Sequence, residues 1–511
     1  MGEKDIIMKK TFALICAVCL AAAMLAGCAS ENEQTKQEST AVPSEESSSS
    51  QAEEKAEEPT FELDDTPITV AETPSPDFGE IKTQYTAKQE DISALLEEIS
   101  AQKDMPCINI TTESGYPIIS KESYVAGMID VFNCDEAYRL TAAGGVKVRG
   151  NSSADQGDEK PYRIKFEEEQ NMLGLHGGNS YKSWVLLRSY WNLGTDYTAQ
   201  NLAKTIFDGK YYNTDITYVD LYINGEYKGI YDLCEQNQAA EGRVDVHEPA
   251  KDDNSADIGF LLEIDNYPDE THPFFVMDYE GAEIEDISGE KRKFASAEYS
   301  VKSDINTQGQ LDFIGNYTSG VFRILYEAAE NDKAMRFDSA YNVVPADDMS
   351  PQDAVSEVID LESLADMLIL EELVHNYDVG EGSFYMARDL SADSIYEKLT
   401  FLAPWDFNWA YEGDADGPYY ACTFRPEVGK QDRSNPWFIT AMKADWFKEI
   451  VKARWSELSD SGALRDTAKK ILDDASKLEN DLGEDAWKID KVADIINFVY
   501  GRIEWLDSSW K

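Results

Sequence analysis

The chain has 511 residues, with 98 Asp or Glu against 46 Lys or Arg, so its formal net charge is −52. Such an acidic surface repels nucleic acids and anionic lipid headgroups, which excludes a nucleic-acid-binding function. Hydrophobic residues make up 42% and aromatic residues 11% of the chain, which is enough for a folded core over most of its length.

Residues 1–28 are predicted to be a lipoprotein signal peptide. Lys9 and Lys10 precede an apolar run that ends in the string LAGC, with Cys28 as its last residue. This is the layout of an export signal, and its ending resembles a bacterial lipobox. We therefore expect lipidation of Cys28 and an extracytoplasmic protein anchored to the cell membrane. Ordinary signal cleavage or an uncleaved membrane anchor is the alternative.

Residues 29–88 are predicted to form a disordered acidic linker. Up to about residue 75 the segment is mainly Ser, Glu, Gln, Ala and Pro, and its first aromatic residue is Phe61. Such a segment cannot bury enough apolar surface to fold. Its like charges repel one another, so we expect an extended tether that holds the folded part away from the membrane.

The first half of the folded part is predicted to be rich in strands. Its pattern predicts a helix at 91–102, strands at 146–149, 162–166, 183–187 and 258–265, and a second helix at 196–207. Asp196 is the expected N-cap of that second helix. Residues 216–235 give the clearest hairpin, because two alternating runs flank Asn224-Gly225, which favours a type I′ turn.

The second half is predicted to be helical. A helix at 360–376 begins with Asp360 as its cap. Two short strands are expected at 384–386 and 399–402, and residues 436–511 hold helices dense in tryptophan. A sheet-rich lobe followed by a helix-rich lobe leaves a cleft between them, which is the usual position of a ligand site.

Four cysteines lie beyond the predicted leader: Cys107, Cys134, Cys234 and Cys422. They are far apart in the chain and show no CxxC spacing of a zinc site. Four cysteines allow three disulfide connectivities. Buried thiols and one or two disulfides both remain open.

Five cations lie on or beside the predicted strands at 146–149 and 162–166, and we call them the basic stripe: Lys147, Arg149, Lys160, Arg163 and Lys165. In so acidic a chain they are candidates to bind an anionic ligand, most plausibly phosphates. A solvated strand face paired with the acidic run at 167–169 is the alternative.

Two aspartates, each shortly after a predicted helix or strand, are candidate catalytic or metal-binding residues. Asp378 follows the helix at 360–376 and could accept a hydroxyl proton or hold a metal, or else serve as a turn residue. Asp406 follows the strand at 399–402, and with Asn408 it offers oxygen ligands suited to Mg²⁺. A turn held by side-chain-to-backbone bonds is the alternative for this pair.

Together these groups match the needs of phosphoryl transfer, which are cations on the phosphates, carboxylates that hold Mg²⁺, and a carboxylate that orients the attacking hydroxyl. They occur in the order that eukaryotic-type kinases use. The HRD, DFG and glycine-loop strings are missing from the sequence, as are HExxH, GxSxG, GxxxxGK[ST] and GxGxxG.

A set of short strings resembles the CotH family, the spore-coat protein H-like kinases. In chain order they are RGNSS at 149–153, KPYRIKF at 160–166, KSWVLL at 182–187, NGEYKGIY at 224–231 with Glu235-Gln236 after it, NYD at 376–378, SFYM at 383–386 and PWDF at 404–407. They follow the family's order over residues 105–415.

The resemblance implies an α+β, atypical protein-kinase-like fold with a sheet-rich N-lobe and a helix-rich C-lobe. The kinase-like domain would span 89–435, and the Trp-rich helices of 436–511 would pack on the C-lobe. The resemblance further implies ATP, Mg²⁺ and transfer of phosphate to Ser or Thr of surface proteins. Because the chain is acidic, we expect a basic, Ser-rich protein substrate, and we expect a monomer.

By position, Asp378 matches the family's catalytic-loop aspartate, the expected base, and Asp406 matches its metal-holding aspartate. Arg163 and Lys165 are the preferred contacts to ATP. Arg149 and Lys160 are further nucleotide-binding candidates. Glu235 is a candidate ion-pair partner for a phosphate-binding lysine.

Two departures from the family pattern point to a weak kinase or a pseudokinase. Asn408 stands where the family often has Asp, and Gly382-Ser383 follow Asp378 where a kinase would place a metal-binding Asn downstream. The alternative is a non-catalytic pseudokinase or surface-binding module. A glycosidase in which Asp378 and Asp406 flank a sugar is a third hypothesis.

Overall fold

The structure is a computed structural model that describes residues 63–71, 73–150, 152–155, 159–188, 193–265, 272–380, 382–391, 394–411, 413–425 and 433–511. The predicted signal peptide, the lipidation site at Cys28 and most of the predicted linker lie outside these ranges. Within them, no helix combines the length and the apolar character that a bilayer crossing requires.

In the described part of the chain, seven strands close into a barrel. They are β1 (Cys107–Thr112), β2 (Val125–Phe132), β3 (Leu140–Val148), β4 (Tyr162–Gln170), β5 (Tyr181–Arg188), β6 (Ile216–Ile223) and β7 (Glu226–Glu235). Their order around the barrel is β1-β2-β3-β4-β5-β7-β6, and a parallel pairing of β6 with β1 closes it. The alternating residues Val146, Ile164 and Trp184 are fully buried inside, as the two-residue strand period requires.

The predicted hairpin is confirmed. Strands β6 and β7 pair in antiparallel fashion on either side of the two-residue turn. Asn224 and Gly225 have φ values of 53° and 78°, which is the left-handed backbone of a type I′ turn. The sequence signal was sufficient here because the turn type is set by two adjacent residues.

A second sheet and several strand pairs follow the barrel. Five strands form this sheet in the order β16-β15-β8-β12-β9, and the pairs are β10-β11 and β13-β14. Their bounds are β8 (Gly259–Ile264), β9 (Phe274–Met277), β10 (Glu283–Glu285), β11 (Lys291–Lys293), β12 (Ala297–Val301), β13 (Met335–Phe337), β14 (Val343–Pro345), β15 (Phe384–Asp389) and β16 (Thr400–Phe401).

The α-helices of the described residues are mostly in the second half. They are α1 (Gly79–Ala87), α2 (Gln89–Ser100), α3 (Ser152–Asp155), α4 (Thr195–Phe207), α5 (Gln308–Asn331), α6 (Pro351–Val358), α7 (Leu361–Val374), α8 (Pro436–Ala441), α9 (Asp445–Ser461), α10 (Ala463–Ser476), α11 (Glu479–Leu482) and α12 (Lys488–Trp510). Asp360 caps α7 as predicted, since its carboxylate accepts bonds from the backbone N–H groups of Glu362 and Ser363.

One large core joins the barrel to the helices. Val185 and Cys234, on the outer faces of β5 and β7, are buried in the same cluster as Leu202 of α4. Trp437 and Trp455 are also fully buried in that cluster. The chain is therefore α+β, and its Trp-rich C-terminal helices form part of the main core. The closed barrel itself was not predicted.

Part of the stretch assigned to the linker is folded, which corrects its predicted end at residue 88. Residue Pro67 pairs with Thr307, just before α5. Phe78, just before α1, and Ile81, within α1, are buried against Met128 on the outside of β2. These two apolar side chains give the segment a surface that it can bury, in contrast to the polar run before it.

All four cysteines in the described residues are free thiols: Cys107, Cys134, Cys234 and Cys422. Three of them are buried and Cys134 is partly buried. The sequence left buried thiols and disulfides as alternatives, and the structure shows thiols.

Candidate functional site

The loop at 403–408, which follows β16, carries Asp406. Asn237 and Gln200 donate side-chain hydrogen bonds to its first two carbonyl oxygens, each at 2.7 Å. Both amides are buried. Asp406 has a φ of 59°, a left-handed conformation that costs a non-glycine residue on the order of 1 kcal/mol. Side chains of α4 and of the chain after β7 therefore fix the position of the loop. Their hydrogen bonds help to stabilise the strained backbone of Asp406.

Asp196 is a second carboxylate at this loop. It is 4% exposed, and its Oδ1 accepts a hydrogen bond from the backbone N–H of Phe407 at 3.0 Å. Burial and then the neighbouring charge of Asp406 raise the pKa of Asp196 to about 7. The sequence prediction that Asp196 caps its helix is wrong. The helix begins one residue earlier, after Gly194 in the left-handed conformation, so the Asp196 carboxylate faces the Asp406 loop.

Arg149 is the member of the basic stripe that contacts this loop. Its guanidinium carbon lies 5.4 Å from the centroid of the Trp405 ring. Its charge also opposes the rise in the pKa of Asp196. Arg149 follows directly after β3, and its backbone N–H donates to the carbonyl oxygen of Pro161. A cation from the barrel therefore lies beside two carboxylates.

Lys147 of β3 and Arg163 of β4 are directly opposite each other in the strand register, on the outside of the barrel. Lys147 Nζ lies 3.4 Å from Thr73 Oγ1 and 5.1 Å from the centroid of the Tyr124 ring. This part of the stripe therefore contacts the chain that leads into α1.

Lys160 and Lys165 complete the stripe. Lys160 Nζ donates to the carbonyl oxygen of Ala154 at 2.7 Å. Lys165 lies on β4 between Gly145 of β3 and Ser183 of β5. The five cations are thus divided among several environments, and Arg149 is the one beside Trp405.

Asp378 lies in the turn after α7, and this turn is joined to the chain after Asp406. The backbone N–H of Tyr377 donates to the carbonyl oxygen of Trp409 at 3.3 Å, and that of Tyr411 donates to the last residue of α7 at 2.6 Å. The two predicted aspartate sites, distant in the sequence, therefore lie on neighbouring loops.

Asn376 holds the backbone at Asp378. Its Oδ1 accepts a hydrogen bond from the backbone N–H of Asp378 at 3.2 Å. Its side chain also bonds to Glu371, and burial raises the pKa of Glu371 to about 8 despite that bond. The sequence pointed to Asn376 only through the string NYD. Its bond to the aspartate backbone becomes visible in the folded turn.

Arg433 forms an ion pair with Asp378, and a glycine permits the approach. A Cβ placed on Gly380 would lie 2.3 Å from the carbonyl oxygen of Ser434 and 2.5 Å from that of Arg433. Only the absence of a side chain lets these two backbones pass so closely. Asn435 then donates to the chain beside Gly380, at the carbonyl oxygen of residue 379 (2.8 Å). The Asp378–Arg433 pair was not predicted from the sequence.

Glu235 does not have the predicted partner. Its Oε2 lies 2.9 Å from His176 Nδ1, and its Oε1 lies 3.6 Å from Arg243 Nε. The register explains the correction. Glu235 is directly opposite Trp184, which points into the barrel, and directly opposed residues share one face of a sheet. Lys165 is on the alternate, outward face, so it is not the ion-pair partner of Glu235.

The oxygen donors at the Asp406 loop fit Mg²⁺. Among the described residues, no three His, Cys, Asp or Glu side chains form a ready metal cage. However, Mg²⁺ is usually held by one or two carboxylates, and water and substrate phosphates complete its octahedron. Asp406 and Asp196 supply two carboxylates. Asn408 Nδ2 donates to Asp406 Oδ1 at 2.7 Å, which leaves its amide oxygen as a further neutral donor.

The fold and the site define an α+β protein in which two aspartate loops meet near an arginine of the barrel. The family model described as CotH kinase protein matches residues 146–506, and the chain belongs to the CotH family. The family resemblance is thereby confirmed. The match contains both aspartate loops and continues into α12, beyond the stretch 105–415 in which the motifs were recognised. A comparison with curated proteins finds no match.

Proposed function

We propose that this protein is an exported, membrane-anchored CotH-type kinase that transfers the γ-phosphate of ATP to Ser or Thr of surface proteins. The observation that carries this proposal is the hydrogen bonding between the loops of Asp378 and Asp406. Phosphoryl transfer needs a base and a metal-holding carboxylate on either side of one phosphate. In this proposal the barrel is the N-lobe, and the second sheet with the helices is the C-lobe.

Each side chain then has a role. Asp378 orients the acceptor hydroxyl and takes its proton, and Asn376 fixes the backbone that carries it. Asp406 and Asp196 hold the metal, with Asn408 as a neutral donor. Bound Mg²⁺ and ATP would supply the phosphoryl group and the charge that screens it.

The proposed ATP contacts are Arg149, Lys160, Arg163 and Lys165. Arg149 has the strongest support, because it lies beside Trp405 and offsets carboxylate charge at the loop. The net charge of −52 supports a basic, Ser-rich substrate, since long-range attraction raises the rate of encounter with cationic partners. Export and anchoring rest on the lipobox-like string that ends at Cys28.

A second candidate function, binding without transfer, is favoured by one contact. Arg433 pairs with the carboxylate that would act as the base, and an arginine at that position occupies one of its oxygens. The neutral Asn408 in place of an acidic ligand points the same way. Both features suit a pseudokinase or a surface-binding module.

The test is transfer of labelled phosphate from ATP, with Mg²⁺, to a Lys/Arg/Ser-rich peptide. Asp378→Ala and Asp406→Ala are compared with Asp348→Ala, an exposed carboxylate paired with Arg336. Loss in the first two variants with retention in the third supports the kinase. Full activity in Asp406→Ala contradicts the metal role. Nucleotide-dependent thermal stabilisation without transfer supports the pseudokinase. No binding of nucleotide contradicts both the kinase and the pseudokinase and supports a module that binds another ligand.

A further inference from the structure

The guanidinium of Arg433 pairs with Asp378, and Arg425 is a second arginine close to Arg433. The backbone N–H of Arg425 donates to Ser434 Oγ at 2.9 Å, which brings the chain at 425 next to the chain at 433. Burial lowers the pKa of Arg425, and the charge of Arg433 acts in the same direction, as expected for two neighbouring cations. In a chain with about twice as many acids as bases, a close pair of like cations requires a reason.

Aromatic rings fix the planes of both groups. The guanidinium carbon of Arg425 lies 3.5 Å from the centroid of the Tyr420 ring, and that of Arg433 lies 4.0 Å from the centroid of the Tyr377 ring. Stacking of this kind stabilises a cation and fixes the direction of its N–H fork before a ligand arrives. A fixed fork matches two oxygens of a phosphate.

A carboxylate that bonds to the backbone of Tyr420 is already engaged by other groups. Glu372 accepts bonds from the backbone N–H groups of residues 420, 421 and 422. It also pairs with Arg502 Nη2 at 2.7 Å, and both side chains are fully buried. Glu372 therefore stabilises the loop that carries Arg425. Within the described residues, the buried Nε of Arg425 has no hydrogen-bond partner.

We infer that Arg425 and Arg433 form a phosphate-binding doublet that holds the terminal phosphate of the nucleotide beside Asp378. This inference rests on the proposed function. A base must lie within hydrogen-bond distance of the hydroxyl that attacks the terminal phosphorus. Because Arg433 contacts that base, its guanidinium lies where it can also bind an oxygen of the phosphate under attack. The acceptor oxygen gains the P–O bond, ADP leaves with the electrons of the broken bond, and Asp378 takes the hydroxyl proton.

The doublet also explains the ion pair. Without nucleotide, Arg433 rests on Asp378. With a phosphate in place, Arg433 has a second anion of higher charge to bind, and its hold on Asp378 is shared. The arginine then serves both the resting state and transfer, and the pair does not by itself make the protein inactive.

The probes are inorganic tripolyphosphate, Mg²⁺-ATP and adenosine, each titrated calorimetrically into the full-length protein. The variants are Arg433→Ala, Arg425→Ala and Arg433→Lys, and the control is Arg336→Ala, an exposed arginine paired with Asp348. We expect each alanine to weaken tripolyphosphate and ATP binding about 10- to 100-fold, the scale of a charged hydrogen bond. Adenosine binding stays unchanged, and Arg433→Lys recovers part of the loss. Unliganded thermal unfolding identifies any variant that fails to fold.

The outcomes separate the doublet from the kinase. Tripolyphosphate binding without ATP binding keeps the doublet and overturns the kinase. Equal binding of both probes by wild type and the alanine variants overturns the doublet and leaves the kinase in place. Higher transfer activity in Arg433→Ala with unchanged affinity makes Arg433 an inhibitory contact and overturns the doublet. A wild-type protein that binds neither probe overturns both.

Discussion

The backbone N–H of Tyr377 donates a hydrogen bond to the carbonyl oxygen of Trp409 at 3.3 Å. The turn of Asp378 and the loop of Asp406 are therefore one connected unit, although each follows a different element. A change in one loop is therefore expected to affect the other through this bond. We expect substitutions on either loop to alter both metal dependence and acceptor use.

Asp196→Asn tests the second carboxylate at the loop. The amide oxygen still accepts from the Phe407 N–H, and a buried charge is removed, so the free energy of unfolding should stay the same or rise. The Mg²⁺ concentration needed for half-maximal phosphate transfer should increase, because one charged ligand is lost. Asp196→Ala is the comparison, since it leaves the Phe407 N–H without an acceptor at a cost of about 1–3 kcal/mol. An unchanged Mg²⁺ requirement in Asp196→Asn would contradict the metal role.

Arg502→Met tests the buried pair with Glu372. Both side chains are fully buried, and removal of one partner leaves an uncompensated charge. The variant should lose about 3–5 kcal/mol of unfolding free energy in urea titrations. Arg336→Ala, which breaks an exposed pair, should lose at most about 1 kcal/mol. Equal midpoints for wild type and Arg502→Met would refute this role.

Gly380→Ala tests the close approach of the chain that carries Arg433. The new Cβ would overlap the carbonyl oxygen of Ser434, so that segment must shift away from Asp378. We expect a loss of about 1–3 kcal/mol in stability together with lower transfer activity. Gly382→Ala is the control, since the nearest atom to its Cβ would be 4.0 Å away. Similar losses in both variants would contradict the steric explanation.

The pair of His176 and Glu235 predicts a pH-dependent stability. Its hydrogen bond to Glu235 raises the pKa of His176 above 6.5, and Glu235 and Asp215 act in the same direction by charge, while burial and Lys204 oppose the rise. The folded-state pKa is the higher one, so the stabilisation is complete below about 6.5 and is lost as the pH rises through the folded value.

The measurement compares wild type with His176→Asn, because Asn tolerates the left-handed backbone of that position. The difference in unfolding free energy should be largest near pH 6 and should shrink toward pH 9. A difference that is constant over that range would show that the ion pair contributes nothing.

Local features were predicted well from the sequence. The turn at Asn224-Gly225 and the cap at Asp360 depend on neighbouring residues, and both are confirmed. Helix α5 was missed although its signal was present. Thr307 and Gln310 form a reciprocal capping box, which is a sequence pattern for a helix start.

Features that depend on distant residues were not predictable in this way. The direction of Glu235 requires the register of β7 against β5, and closure of the barrel requires β6 to meet β1. The hydrogen bond between Asp196 and the Asp406 loop joins two parts of the chain that are far apart in the sequence. Asp196 lies in α4, before the strands of the second sheet, and the loop follows β16, the last of those strands. Spacing along the chain contains no information on such contacts. The candidate aspartates could be named from the family strings, but Arg433 could not.

The parallel contact between β6 and β1 has a consequence for aggregation. Each strand of the barrel pairs with a neighbour on both sides over at least part of its length, which satisfies the backbone N–H and C=O groups of the paired residues. Open edges, which leave such groups unmatched, recruit strands from other molecules and seed aggregates. Closure therefore lowers the chance that neighbouring copies associate strand to strand along the paired stretches of the barrel.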